Sequence, residues 1–253
     1  MKKVLILYKK EGQTPLKVIE DFKKKNLKYL NIPITYAGRL DPMASGVLLL
    51  LAGKKIKQKE KYLALDKKYD FSVLFGFSTD TFDILGKLQK NKFNLKNINI
   101  SKIELANQIQ NNLKYFKGKI KQTYPVYSSK IVNGKPLFTY ARNNIKVKIP
   151  EKEIIIKKIK LEKISKISGE KLLLNIQKRI NKVEGDFRQN EILKIWKNNL
   201  KGKNKKKLFN IAYFNIRCTS GTYVRQIANS LGQRMQMPAL ALSINRTKIG
   251  RFK

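Results

Sequence analysis

Apolar positions along the chain fall into short segments of two different periods. Val4 to Leu7 is a brief continuous run, the length of one buried strand. Thr14 and Pro15 then give a helix start, a capping side chain followed by proline at the first helical position. Leu16, Ile19 and Phe22 continue it at helical spacing. Val47 to Leu51 is a continuous apolar strand ended by Gly53, and Tyr69, Phe71, Val73 and Phe75 alternate as one face of a strand does.

Ser101 and Glu104 form a capping box, and Ile103, Ala106, Ile109, Leu113 and Phe116 mark one face of the helix that follows, closed by Gly118. Further strands are expected at 154–156, 171–176 and 208–218. Thr222 is the expected cap of a helix carrying Val224, Ile227, Ala228 and Leu231 on one face. The stretch 178–207 is the least core-like. It holds a helical segment around 187–200 and ends in a lysine-rich run, Lys201 to Lys207. It reads as a basic surface insertion between two strands, either an RNA-facing arm or a solvated loop. Strands and helices mix without strict alternation, which predicts an α+β domain spanning residues 1–253.

Charge narrows the partners. The chain has 56 Lys+Arg against 17 Asp+Glu, a formal net charge of +39, and no acidic residue follows Glu191. A surface of one sign repels itself and attracts polyanions, and neutralising phosphates releases their counterions. Nucleic acid is therefore the expected partner. Cys218 is the single cysteine, which excludes an internal disulfide and points to a reducing compartment, the cytoplasm. With no histidine, a Ser-His-Asp or Cys-His device is impossible and zinc lacks its usual ligands. The longest apolar run, Val47 to Ala52, is far too short to cross a membrane. Catalysis, if present, must use Asp, Glu, Lys, Tyr or Arg.

The segment most suggestive of chemistry is Tyr36-Ala-Gly-Arg-Leu-Asp-Pro-Met-Ala-Ser-Gly46, placed just before the apolar strand. Read locally it is a turn, with Gly38 permitting tight geometry and Asp41-Pro42 favouring a bend or a helix start. It resembles the catalytic loop of TruB-type pseudouridine synthases, with Gly38, Leu40, Asp41, Pro42, Ala44, Gly46, Val47 and Leu48 on the matching positions. Gly38-Arg-Leu-Asp41 is shared with the related RluA and RsuA groups. Further blocks resemble the TruB pattern in order: Lys68-Tyr-Asp-Phe71 with Phe75 to Gly86, Gln122 to Lys135, Cys218 to Ala228, and Leu242 to Phe252.

The resemblance implies the pseudouridine synthase fold, a mixed and mostly antiparallel sheet with flanking helices and a thumb-like insertion at about 122–150. It implies conversion of the uridine at position 55, in the TΨC loop of tRNA, to pseudouridine, with no cofactor, no metal and no obligate protein partner. Asp41 falls on the family's nucleophile, Tyr69 on its active-site tyrosine, and Arg225 on the arginine that pairs with the aspartate. Tyr36, Arg39, Tyr124, Tyr127, Lys130, Lys135 and Arg142 are the expected RNA contacts, aromatics mixed with cations as backbone tracking and base stacking require.

Two positions depart from the pattern. Lys10 stands where proline is usual, and Tyr36 where histidine is usual. The chain ends at Lys253, soon after the last motif, so no C-terminal PUA domain is expected. An RluA-like enzyme acting on rRNA and a noncatalytic RNA-binding protein remain the alternatives.

Overall fold

The apolar run at 47–52 becomes the middle of β3 (Ala44–Gly53), whose residues from Leu48 to Ala52 are all fully buried. The computed structural model, which describes residues 2–90 and 100–253, builds a large sheet around it. β1 (Lys2–Lys9) pairs with β3 antiparallel along its whole length, and the short β2 (Ile34–Tyr36) pairs with the far end of β3. The remaining strands are β4 (Lys67–Phe75), β5 (Gly118–Thr123), β8 (Glu151–Ser168), β9 (Leu208–Cys218) and β10 (Ala239–Ile249), with β6 (Ile131–Val132) and β7 (Lys135–Pro136) forming a separate two-stranded ribbon. The order across the eight-stranded sheet is β1-β3-β10-β4-β9-β8-β5, with β2 beside β3. Among the described residues only the β3–β10 strand pair is parallel, so the mixed, mostly antiparallel sheet is as expected.

Alternation along β4 divides its two faces. Tyr69, Phe71, Val73 and Phe75 pack with Leu105, Ile109 and Leu113 of α3 (Lys102–Leu113) and with Val224, Ile227 and Leu231 of α7 (Val224–Arg234). Phe71 stacks on Phe214, ring centroids 5.0 Å apart. On the other face Leu74, Ile211 and Leu240 meet Leu172 and Ile176 of α5 (Gly169–Ile180) and Ile192 and Trp196 of α6 (Gln189–Asn199). α1 (Pro15–Lys25) begins as expected, with the Thr14 hydroxyl accepting from Lys17 N and Pro15 in the first position. Val18 and Ile19 of α1 pack on Leu48 and Leu50. Two short helices, α2 (Lys59–Leu63) and α4 (Leu137–Arg142), complete the set used below.

Four expectations need correction. The segment 171–176 is helical, not a strand. β8 runs 18 residues to Ser168, whose hydroxyl caps α5 by accepting from Lys171 N. Leu172, Ile176 and Ile180 are buried at a spacing of four, while Leu174 in the same apolar run is 61% exposed. In α3 the buried row is Leu105, Ile109 and Leu113, and Ile103 points to solvent. Thr222 does not cap α7; its hydroxyl donates to Thr219 O, and Tyr223 is the capping residue. The stretch 178–207 is not a solvated insertion on its apolar side. Ile180, Val183, Ile192, Trp196 and Leu200 are buried, and Trp196 Nε1 donates to Ile84 O at 3.2 Å. Residues 201–206 are exposed, so the basic tip stands as expected.

Where β3 and β10 cross, Gly46 sits opposite Arg246 with φ +118°, and a β-carbon there would overlap the Arg246 backbone. Gly46→Ala is expected to destabilise the chain by about 3 kcal/mol or more, from the left-handed backbone and the displaced strand together. Urea unfolding checks this; a loss below about 1 kcal/mol would mean that the crossing can open freely.

Candidate active site

The loop from Tyr36 to Met43 joins β2 to β3 and is held in place by two buried cations. Arg246, 1% exposed on β10, donates from Nε to Val47 O at 2.8 Å, from Nη1 to Arg39 O at 3.1 Å and from Nη2 to Gly38 O at 3.2 Å. Lys9, fully buried at the end of β1, donates to Ala44 O at 2.6 Å and to Lys10 O and Pro42 O at longer range. Burial lowers its ammonium to about 8. Gly12 N donates to Pro42 O at 2.9 Å. Every backbone oxygen so engaged is one that a loose loop would leave to water.

Asp41 projects from this fixed loop toward α7. Arg225 Nε donates to Asp41 Oδ2 at 2.8 Å, and Nη2 approaches Oδ1 at 3.5 Å. The rest of the guanidinium is also used: Nη1 donates to Thr81 O at 2.8 Å and Nη2 to Tyr127 O at 3.0 Å. The Arg225 side chain is 3% exposed and that of Asp41 36%. The arginine is therefore part of the protein interior, and the carboxylate has one side against it and the other toward solvent. A planar fork fixed by Thr81 O and Tyr127 O holds the carboxylate in one orientation. Tyr69 lies in the sheet opposite Arg246 and is buried. Burial pushes its phenol up to about 12, with the Asp41 charge acting in the same direction. It is a neutral ring with a proton to donate across the physiological range.

Asp83 is a third charged-type group at this place. It is 6% exposed; Thr81 Oγ1 donates to its Oδ1 at 2.8 Å and Leu85 N at 3.0 Å. Burial raises its carboxyl to about 6, and the Asp41 charge adds to this, while Arg225 and the two hydrogen bonds pull it back down. Between the ordinary 3.8 and about 6 the folded chain keeps this proton and the unfolded chain has lost it. Lowering the pH through about 6 therefore favours the fold at this residue, and above that value the buried charge is a full cost. The stability of wild type relative to Asp83→Asn is expected to improve by about 2 kcal/mol between pH 7 and 4. Chemical denaturation at several pH values reads this; a difference independent of pH would contradict it.

Of the expected RNA contacts, Tyr36 and Arg39 belong to the Asp41 loop and Tyr127 touches Arg225, while among the described residues nothing brings Lys135 or Arg142 to the carboxylate. The Arg39 guanidinium sits 5.6 Å over the Tyr36 ring. The Tyr124 ring meets that of Tyr223 edge-on at 5.6 Å and carries Lys130 Nζ 5.5 Å from its centroid. Tyr127 adjoins Arg225 through its carbonyl. Arg142, at the end of α4, donates to Asp186 O at 3.1 Å and lies over Phe138. Lys135 is exposed on β7, in the ribbon apart from the main sheet.

Residues 24–181 match the family model described as the TruB family pseudouridylate synthase N-terminal domain. The chain belongs to the TruB family. Among curated relatives, tRNA pseudouridine synthase B of Lactobacillus acidophilus is 30% identical over 250 residues, covering 98% of this chain and 69% of that one. The protein of the same name from Staphylococcus aureus strain Mu50 is 31% identical over 252 residues, covering 98% and 67%. The fold is shared with a solved structure titled as a Cbf5-Nop10-Gar1 complex, at TM-score 0.55 and 18% identity over 99% of this chain. This chain spans 49% of the length of that one.

Against the TruB pattern, Arg246 lies within the closing motif block and Lys9 just before the departure at Lys10, and neither carries a signal of a clamping role. Tyr223 was missed as well; it is half-buried beside Arg225, whose guanidinium lies 5.7 Å over its ring. Arg188, 2.9 Å from Asp80, was not singled out at all. Among the described residues no helix is long and apolar enough to cross a membrane.

Proposed function

We propose that this TruB-family chain isomerises a uridine in the TΨC loop of tRNA to pseudouridine, with Asp41 as nucleophile. The observation that carries the reading is a carboxylate held by the buried Arg225 and open to solvent on its other side. The curated relatives bearing the name tRNA pseudouridine synthase B support the substrate class. The carboxylate attacks the ribose carbon or assists cleavage of its bond to N1. The freed uracil turns, C5 bonds to the same sugar carbon and displaces the carboxylate from it, the C5 hydrogen leaves as a proton, and N1 takes a proton up. Nothing is oxidised or reduced and no atom is gained, so the reaction needs no cofactor and no metal.

A uridine stacked in a folded loop cannot meet Asp41. It must be extruded, at a cost of about a few kcal/mol that contacts to neighbouring nucleotides offset. In this reading residues 122–150 are the thumb, with Tyr124, Tyr127, Lys130, Lys135 and Arg142 facing RNA, Tyr36 and Arg39 at the loop, and the net charge of +39 supplying the general attraction. Residues 1–253 act as one catalytic domain in the cytoplasm, with tRNA as the partner and no second protein required. Incubating the protein with unmodified tRNA and mapping pseudouridine tests this. One modified uridine, in the TΨC loop, is expected; tRNA that is bound but unmodified would leave an RNA-binding protein without this activity.

A further inference from the structure

The chain between α5 and α6, residues 181–188, lies past the stretch matched by the family model and touches three parts of the site. At its start Arg179 makes a two-pronged contact to Glu11, at 2.8 and 2.6 Å. Glu184 N donates to Gly12 O at 3.0 Å, and Gly12 N in turn donates to Pro42 O, the residue after Asp41. Asp186 O receives Arg142 from α4. At its end stands Arg188, whose Nη1 lies 2.9 Å from both Asp80 Oδ2 and the Tyr127 hydroxyl. The guanidinium is also 4.5 Å from the centroid of the Tyr127 ring.

Arg188 adopts φ +65°, a left-handed conformation that a side chain disfavours, and its N–H donates to Asp186 Oδ1. Such a backbone persists only where surrounding contacts fix it. The same Tyr127 whose ring and hydroxyl Arg188 holds gives its carbonyl to Arg225 Nη2 at 3.0 Å. A continuous set of contacts thus runs Asp80, Arg188, Tyr127, Arg225, Asp41.

We infer that Arg188 is a positioning residue for the reaction: anchored by Asp80, it fixes Tyr127, and through the Tyr127 carbonyl it fixes Arg225 against Asp41. The inference rests on reading Asp41 and Arg225 as the reacting pair. The α5–α6 segment is then not only a cover for the back of the sheet. It carries the brace that sets the root of the thumb over the carboxylate.

The test measures two quantities separately, the single-turnover rate at saturating tRNA and the affinity for tRNA, on wild type, Asp41→Ala, Arg188→Ala and Arg188→Lys. Arg188→Ala is expected to slow the rate by about tenfold or more, because a small misplacement of reacting groups costs that much, with affinity changed less than about threefold. Arg188→Lys is expected to keep affinity and fail to restore the rate, since an ammonium cannot lie flat on the ring while it bonds Asp80. In a Tyr127→Ala background, Arg188→Ala should add little, because both act on the same carbonyl.

A full rate with weakened affinity would make Arg188 a phosphate contact and overturn the inference. Wild-type rate in Arg188→Lys, or full additivity with Tyr127→Ala, would overturn it as well. Thermal unfolding of each variant guards against a folding defect; if Arg188→Ala unfolds, Arg188→Lys carries the decision. An inactive wild type or an active Asp41→Ala overturns the reading of the reacting pair and this inference together. Normal behaviour of those two beside a fast Arg188→Ala overturns this inference alone.

Discussion

Asp41→Asn is expected to bind tRNA as wild type does and to form essentially no pseudouridine. The amide matches the carboxylate in size, so the loop held by Lys9 and Arg246 keeps its course. Its charge and nucleophilic oxygen pair are gone, and its NH2 has only donors to face where Arg225 approaches. The single-turnover rate should fall by at least about 1,000-fold, with the affinity within about threefold. Stability should fall by about 3 kcal/mol, because the buried Arg225 guanidinium loses its charged partner. Rate and filter-binding measurements on the same preparation separate the two effects. An equal loss of both would make Asp41 a structural residue.

Arg225→Lys is the second large effect. The native guanidinium serves Asp41, Thr81 O and Tyr127 O at once from a site with almost no solvent. An ammonium reaches one of these groups at a time and leaves buried carbonyls unpaired. The rate at saturation should drop by about 100-fold or more, and stability by about 3 kcal/mol, the loss expected when one side of a buried ion pair is spoiled. Near-normal turnover in Arg188→Ala and in Arg225→Lys together would mean that Asp41 needs no holding from this side.

Much of the sheet was legible because its signals are local. The continuous run at 47–52 and the alternation from Tyr69 to Phe75 follow directly from a strand's two-residue repeat. The Thr14-Pro15 start of α1 is equally local. α5 was misread because Leu172, Leu173 and Leu174 run together, and a short apolar run looks the same on a strand as on a buried helix. The four-residue spacing to Ile176 and Ile180 was the signal that could have separated them. The burial of α6 depends on Phe77 and Ile84, more than a hundred residues away, and no local period reports such a contact.

The site divides in the same way. Asp41 and Arg225 are 184 residues apart, and only the resemblance of whole motif blocks links them in the sequence. Lys9 and Arg246 gave no warning, because a buried cation chelated by backbone oxygens has the same sequence appearance as any lysine or arginine in so basic a chain. Arg188 was hidden for the further reason that it sits in a stretch outside the motifs, beside Asp186 and before the helix it caps.

In the proposed reaction the new carbon–carbon bond forms at C5 of the uracil and expels its hydrogen. Single-turnover incubation with tRNA whose uridines carry tritium at C5 therefore reads bond making directly. The wild-type chain should release tritium in step with one uridine converted per tRNA, and Asp41→Ala should bind the same tRNA and release none. Release by Asp41→Ala at the wild-type rate would contradict a carboxylate at that position as the group that reacts.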